Sequence, residues 1–314
     1  MIRASLAAVP DLPELTWGRV FTTWGLEPLL FVPTVWVAGA YLVGVAVLRR
    51  RGDRWPVGRT VSFVALGIGA FLFVTCSGVG AYDTTLLSVH MVQHMVLSMF
   101  VPIALALGAP VTLALRTLPA RPRRWLLVVL HSRLAKVLSF PPLTLALFVV
   151  SPWALYFSGW YDGTLSSPWV HDMTHVHLVL VGCLFFWPLV GIDPVPGRVG
   201  YPFRILMVLM TLPFHAFLGV TIMGQTTLIG GAHYEALRDG PMGAWLPTAA
   251  DDQHLAGGVL WASGDLVGAL LFLVLFTQWV RSSLREAVRE DRRLDLIEAR
   301  EARRTGTQVD DPER

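Results

Sequence analysis

Charge is scarce in this chain, and lysine is all but missing: Lys136 is the only one among 25 basic residues, and charged residues make up just 15% of the 314. So little charge cannot solvate the surface of a globular domain of this length, which argues against a soluble protein. The arginines cluster beside apolar runs with no aromatics interleaved, a pattern that argues against nucleic acid as a partner. Cysteine is nearly absent too. Cys76 and Cys183 both lie inside apolar runs, so no secreted disulfide framework exists, and each is either a small packing residue or a soft metal ligand. There is no tandem repeat and no polar stretch long enough for a soluble domain. The apolar stretch after Arg3 is broken by Pro10, Asp11 and Pro13 before it reaches signal-peptide length, so the first span is expected to be retained.

Apolar sequence is what the chain has in abundance, at 54% of its residues. A spanning helix needs about 20 mostly apolar residues, and seven stretches qualify. They run from Leu29 to Leu48, Val61 to Gly80, Leu86 to Leu107, Leu134 to Phe157, Val170 to Val190, Arg204 to Gly224 and Leu255 to Val280; Pro141, Pro142 and Pro152 interrupt the fourth. The predicted fold is therefore all-α: a polytopic bundle of seven transmembrane helices spanning residues 29–280.

Arginine placement sets an orientation. The loop after the first span holds Arg49, Arg50, Arg51, Arg54 and Arg59, and the loop after the third holds Arg116, Arg121, Arg123, Arg124 and Arg133, which places both in the cytoplasm. The loops after the second and fourth spans carry Asp83 and Asp162 with no basic residue, and the loop after the sixth has Arg238 against four acids. Alternation then puts the N-terminus outside, with Arg198 and the C-terminus inside. Residues 1–28 become an extracytoplasmic segment, and residues 281–314 a cytoplasmic charged helical tail with a disordered end. In that tail arginine alternates with acids around a thin apolar stripe of Leu284, Val288, Leu294 and Ile297.

The histidines then fall on one side. His90 and His94 share a helix face in the outer half of the third span, and His171 and His175 repeat that spacing at the outer end of the fifth, with His177 on a different face. His215 in the sixth span lies roughly 16 Å from its inner end, near mid-membrane. His254 stands at the outer mouth of the seventh, and His131 alone is assigned to the cytoplasmic side. Polar groups inside a bilayer are costly and mark ion sites, relays or cofactors. The H-x-x-x-H spacing serves zinc, copper and haem equally. Methionines at 91, 95, 99, 173 and 223 either pack the bundle or join imidazole in a copper site. Asp265 in the seventh span either orients a liganding histidine or hydrogen-bonds between helices. Pro213 loosens the helix just before His215 and would help that imidazole turn inward.

Several of these segments together resemble the CtaG family of bacterial cytochrome c oxidase assembly factors. They are His90-Met91-Val92-Gln93-His94-Met95 with its continuation to Gly108-Ala109-Pro110, the stretch from His171 to Phe186-Trp187-Pro188, Phe214-His215-Ala216-Phe217-Leu218-Gly219-Val220, and Asp252-Gln253-His254-Leu255-Ala256-Gly257-Gly258 with Trp261. The resemblance implies a multi-pass protein of the bacterial plasma membrane, not an enzyme, that helps insert copper into the haem–copper centre of the oxidase catalytic subunit. An extracytoplasmic donor protein would supply the copper. His90, His94, His215 and Asp252 match the family's motifs, His171 and His175 fit by position, and His254 follows the Asp-Gln pair. The expected metal-binding set is thus His90, His94, His171, His175, His215, Asp252 and His254, supported by Gln93, Gln253 and Asp265. Two other classes remain open on the residues alone. A b-type cytochrome would use paired intramembrane histidines as axial haem ligands. A copper or proton-coupled transporter would use histidines and Asp265 along an ion path.

Overall fold

Long apolar segments in hydrocarbon must satisfy their own backbone amides, and helix is the form in which one segment can do so. The structure, a computed structural model, describes residues 12–194, 196 and 199–305, and helices without any strand account for its regular elements. In chain order they are α1 (Trp17–Thr22), α2 (Pro28–Arg50), α3 (Val57–Tyr82), α4 (Leu87–Thr117), α5 (Ala120–Leu130), α6 (Arg133–Leu138), α7 (Pro141–Phe157), α8 (Trp160–Ser166), α9 (Pro168–Val190), α10 (Tyr201–Gly224), α11 (Gly231–Arg238) and α12 (Ala249–Thr305). Six of them (α2, α3, α4, α9, α10 and α12) are long and apolar enough to cross a membrane. Helices α7 and α8 qualify together as a seventh, bent by 64° at the break between them.

Local chemistry explains where the elements depart from the apolar runs. The fourth run, expected to begin at Leu134, begins its helix at Pro141. A residue before proline is driven out of the α region, and Phe140 is extended at φ −69°, ψ 116°. Pro141 and Pro142 then occupy the first helical positions, where no N–H is needed. Leu134 belongs instead to α6, whose first turn is capped by Ser132 accepting from the Ala135 amide at 3.1 Å. Helix α4 contains a π-helical stretch, Val96–Phe100, and turns at Ala109, which takes up a left-handed φ of 51° before Pro110 restarts the helix. The charged tail proves continuous with the seventh span, since α12 runs unbroken for 57 residues. Residues 1–11, Arg198 and 306–314, where the disordered end was expected, lie outside the described residues. From residue 12 onward the N-terminal segment is folded against the bundle: Tyr82 Oη donates to the Pro13 carbonyl at 2.6 Å and the Gly25 amide to the Cys76 carbonyl at 2.8 Å.

Packing depends on close backbone approach. On α10 and α12, a Cβ at Gly219 would meet the Gly257 carbonyl oxygen at 2.6 Å, and a Cβ at Gly257 would meet that of Gly219 at the same distance. Small residues at such seams replace the hydrophobic driving force that lipid removes.

Helix α4 carries His90 and His94, and carboxylates grip it at its start and where it restarts at Pro110. Asp252 on α12 accepts from the Leu87 amide at 2.7 Å, the Ser88 amide at 3.3 Å and Ser88 Oγ at 2.5 Å. Asp193, following α9, accepts from the Val111 and Thr112 amides at 3.1 and 2.7 Å and from Thr112 Oγ1 at 2.6 Å. Each carboxylate satisfies N–H groups in the first turn of a helical segment, Asp252 at Leu87 and Asp193 at the restart after Ala109, where those groups have no partner within the helix and the dipole is positive. Replacing Asp252 by Ala should therefore lower stability by about 1–2 kcal/mol. His254→Ala, at an exposed position on the same turn, should stay within about 0.5 kcal/mol of wild type. Denaturant titration in detergent compares the two.

Candidate metal centre

Three ligand side chains converge in the interior. Asp83 stands in the turn between α3 and α4, while His171 and His175 lie one turn apart on the first half of α9; one ligand atom from each comes within 4.8 Å of the others. All three are buried, at 1%, 5% and 3% exposure. His171 Nε2 is 3.2 Å from Asp83 Oδ2, and the two imidazole rings are 4.4 Å apart. Among the described residues this is the one convergence of three or more metal-ligating side chains, and neither cysteine joins it.

Gln93 of α4 ties the group together. Its amide nitrogen donates to the Val74 carbonyl at 2.8 Å and to Asp83 Oδ2 at 3.0 Å, and its amide oxygen faces His175 Nε2 at 2.8 Å. With two acceptors on the nitrogen, the amide cannot be reversed without setting oxygen against oxygen. His175 must then donate from Nε2, which leaves its Nδ1 with the lone pair. An outer partner of this kind fixes tautomer and ring angle in metal sites generally.

His90, on α4, stands outside that set of three. It is 2% exposed, its ring packs edge-on to Tyr161 at 5.0 Å, and its Nε2 is buried with no hydrogen-bond partner. It stands close enough to Asp83 and His171 to feel both electrostatically. Above it, Tyr161 and Tyr234 share a hydrogen bond of 2.6 Å between their hydroxyls. Burial pushes the Tyr234 hydroxyl well above the usual tyrosine range, so it stays protonated at neutral pH.

The other expected ligands lie elsewhere. His94, one turn below His90, is bonded through Nδ1 to the Tyr156 hydroxyl at 2.8 Å and shares a small cavity with His215. Asp252 is the α4 cap. Gln253 holds the segment after α10, accepting from the Ile229 amide at 2.8 Å and donating to carbonyls of Ile222 and Gln225 at 3.3 Å. His254 is exposed, so the structure does not bring it to the group. Asp265 accepts from Trp261 Nε1 on its own helix at 2.7 Å. Met91, Met95 and Met99 belong to the apolar core, where they pack against residues such as Phe148 and Phe185. His177 pairs with Ser151, away from the group.

Sequence reasoning passed over Asp83, taking it only as a marker of an outer loop. The clue was available: an acid that follows a glycine-rich apolar span without an intervening polar linker must remain near the depth of the histidines on neighbouring helices.

The family model of the cytochrome c oxidase caa3 assembly factor (Caa3_CtaG) matches residues 39–282. The chain is 42% identical over 293 residues to an uncharacterized protein of Mycobacterium bovis and to one of Mycobacterium tuberculosis, and 38% identical over 294 residues to one of Mycobacterium leprae. These alignments cover 91% of this chain and 44% of each relative, so the chain spans less than half the length of the curated relatives it matches. No solved structure gives a significant match.

Replacing Gln93 by Leu removes the bonds to Val74, Asp83 and His175 while filling a similar volume. The expected cost is about 1–3 kcal/mol in stability, because buried acceptors lose their donor. Thermal unfolding of the purified variant measures it.

Proposed function

The chain belongs to the cytochrome c oxidase caa3 assembly factor family, and from that premise we propose that it binds copper at Asp83, His171 and His175, with His90 as a further ligand, and passes it to the oxidase catalytic subunit. The observation that carries the reading is the convergence of two imidazoles and a carboxylate, all buried, at ligand-to-ligand distances an ion can bridge. Imidazole with one carboxylate suits copper and zinc; the family's work on an oxidase favours copper.

In this reading the N-terminus and the Asp83 turn face the outer side of a bacterial plasma membrane and the tail the cytoplasm, which the arginine-rich loops support. Copper then arrives from an extracytoplasmic donor protein and leaves by ligand exchange towards the oxidase, with no bond of a substrate made or broken by the chain. The role is that of a metallochaperone, not an enzyme. Available space weighs against a b-type cytochrome: the cavity between His94 and His215 measures about 10 Å³, room for one water-sized body and none for a porphyrin.

Two outcomes are expected. Protein carrying His171→Ala and His175→Ala should lose its copper by elemental analysis, and host membranes expressing it should show lower oxidase activity. Copper content equal to wild type would overturn the assignment. Copper retention should also fall on acidification, because a proton competes for the imidazole lone pair; retention unchanged by acid until the protein unfolds would count against histidine ligation.

A further inference from the structure

One helical turn below His90, about 6 Å along α4, a second pair of imidazoles stands apart from the first group. His94 on α4 and His215 on α10 line the cavity of about 10 Å³ together with Ser98, Ser151, Phe148, Pro152, Leu178 and Val181. Both histidines are buried. No carboxylate lines the space.

The hydrogen bonds prepare these rings to bind. His215 Nδ1 lies 3.1 Å from the Thr211 carbonyl, which only accepts, so Nδ1 carries the proton and Nε2 the lone pair. His94 meets the Tyr156 hydroxyl through Nδ1 at 2.8 Å. That hydroxyl can accept as well as donate, so His94 too can present its lone pair at Nε2 while Nδ1–H is held. Span seven is shaped to admit the His215 ring: a Cβ on Gly264 would come within 2.9 Å of its Cγ and 3.1 Å of its Cδ2.

We propose that His94 and His215 form a second, deeper metal position that takes a soft monovalent ion, Cu(I), and that the chain therefore holds copper in two successive places. This rests on the reading of the Asp83 group as the first of them. The lining offers two imidazoles and no acid, and Asp265, which acts on His215 electrostatically from outside it, is engaged by Trp261 Nε1, so a divalent ion would be short of both charge and ligands in an apolar setting. A cavity of water size admits an ion stripped of its hydration shell, which excludes the hard ions that shed water reluctantly. The pair adds only ligand exchange to the path, with no change in oxidation state.

The test loads detergent-purified full-length protein with Cu(I) under reducing conditions in competition with a chromogenic Cu(I) chelator, and separately with Zn(II). Wild type should hold two Cu(I) and one Zn(II) per chain. His215→Asn should hold one Cu(I) and keep its Zn(II). The His171→Ala/His175→Ala protein should lose Zn(II) and keep one Cu(I), whose X-ray absorption should report a two-coordinate nitrogen shell. Two Cu(I) retained by His215→Asn would overturn the second position, as would a single Cu(I) in wild type that disappears with His171 and His175. Absence of Zn(II) from wild type, with one Cu(I) lost in His215→Asn, would remove the first site and leave the second standing. If His215→Asn fails to fold, the absorption spectrum of the His171/His175 variant decides alone: a shell of oxygen, or of three or more ligands, overturns the proposal.

Discussion

A single primary amide holds the interior of this protein in register. Gln93 reaches from α4 to the backbone of α3, to the carboxylate in the turn after it, and to an imidazole of α9. Water is not at hand to replace any of these bonds in an apolar bundle, so each partner is worth its full desolvation penalty. Three helices and a turn are thereby constrained to one arrangement, and the same bonds dictate which nitrogen of His175 donates to Gln93. Stability and ligand geometry are two outcomes of one set of contacts.

The carboxylates sort by what surrounds them. Asp252 and Asp193 meet backbone N–H groups and hydroxyls, which exhaust their lone pairs and make them caps. Asp83 instead meets two imidazoles and an amide. Where the neighbours are fixed donors, a carboxylate belongs to the fold. Where they are side chains that can themselves bind a metal, it joins the candidate site. Helix α4 joins the two cases, since the caps at its start and at its restart after Ala109 hold His90 and His94 at set heights.

Much of the architecture was legible in the sequence, because the length of an apolar run is itself the physical requirement for crossing a bilayer. The fourth run misled by seven residues, as a hydropathy reading does not register that a proline pair forces its predecessor out of the helix. At the site, the spacing of His171 and His175 correctly implied one face. The equal spacing of His90 and His94 did not imply one site: a ring at each level meets whatever the neighbouring helices offer there, which is Tyr161 and the Asp83 group for one and Tyr156 and His215 for the other. Which carboxylate would lie beside the histidines was hidden for the same reason. Asp252 sat beside Gln253 and His254 in a ligand-like string, but the string is helical, and its members point to three separate surroundings.

The absence of a joint between span seven and the tail has a mechanical result. From Arg281 to Thr305 the extension of α12 reaches about 37 Å beyond the span as a continuous rod. A load applied at its tip is not absorbed by a hinge; it arrives as torque on the glycine-lined contact with α10, where Gly264 cradles the ring of His215. Leverage on the tail is thus geared to the alignment of a single imidazole inside the bundle.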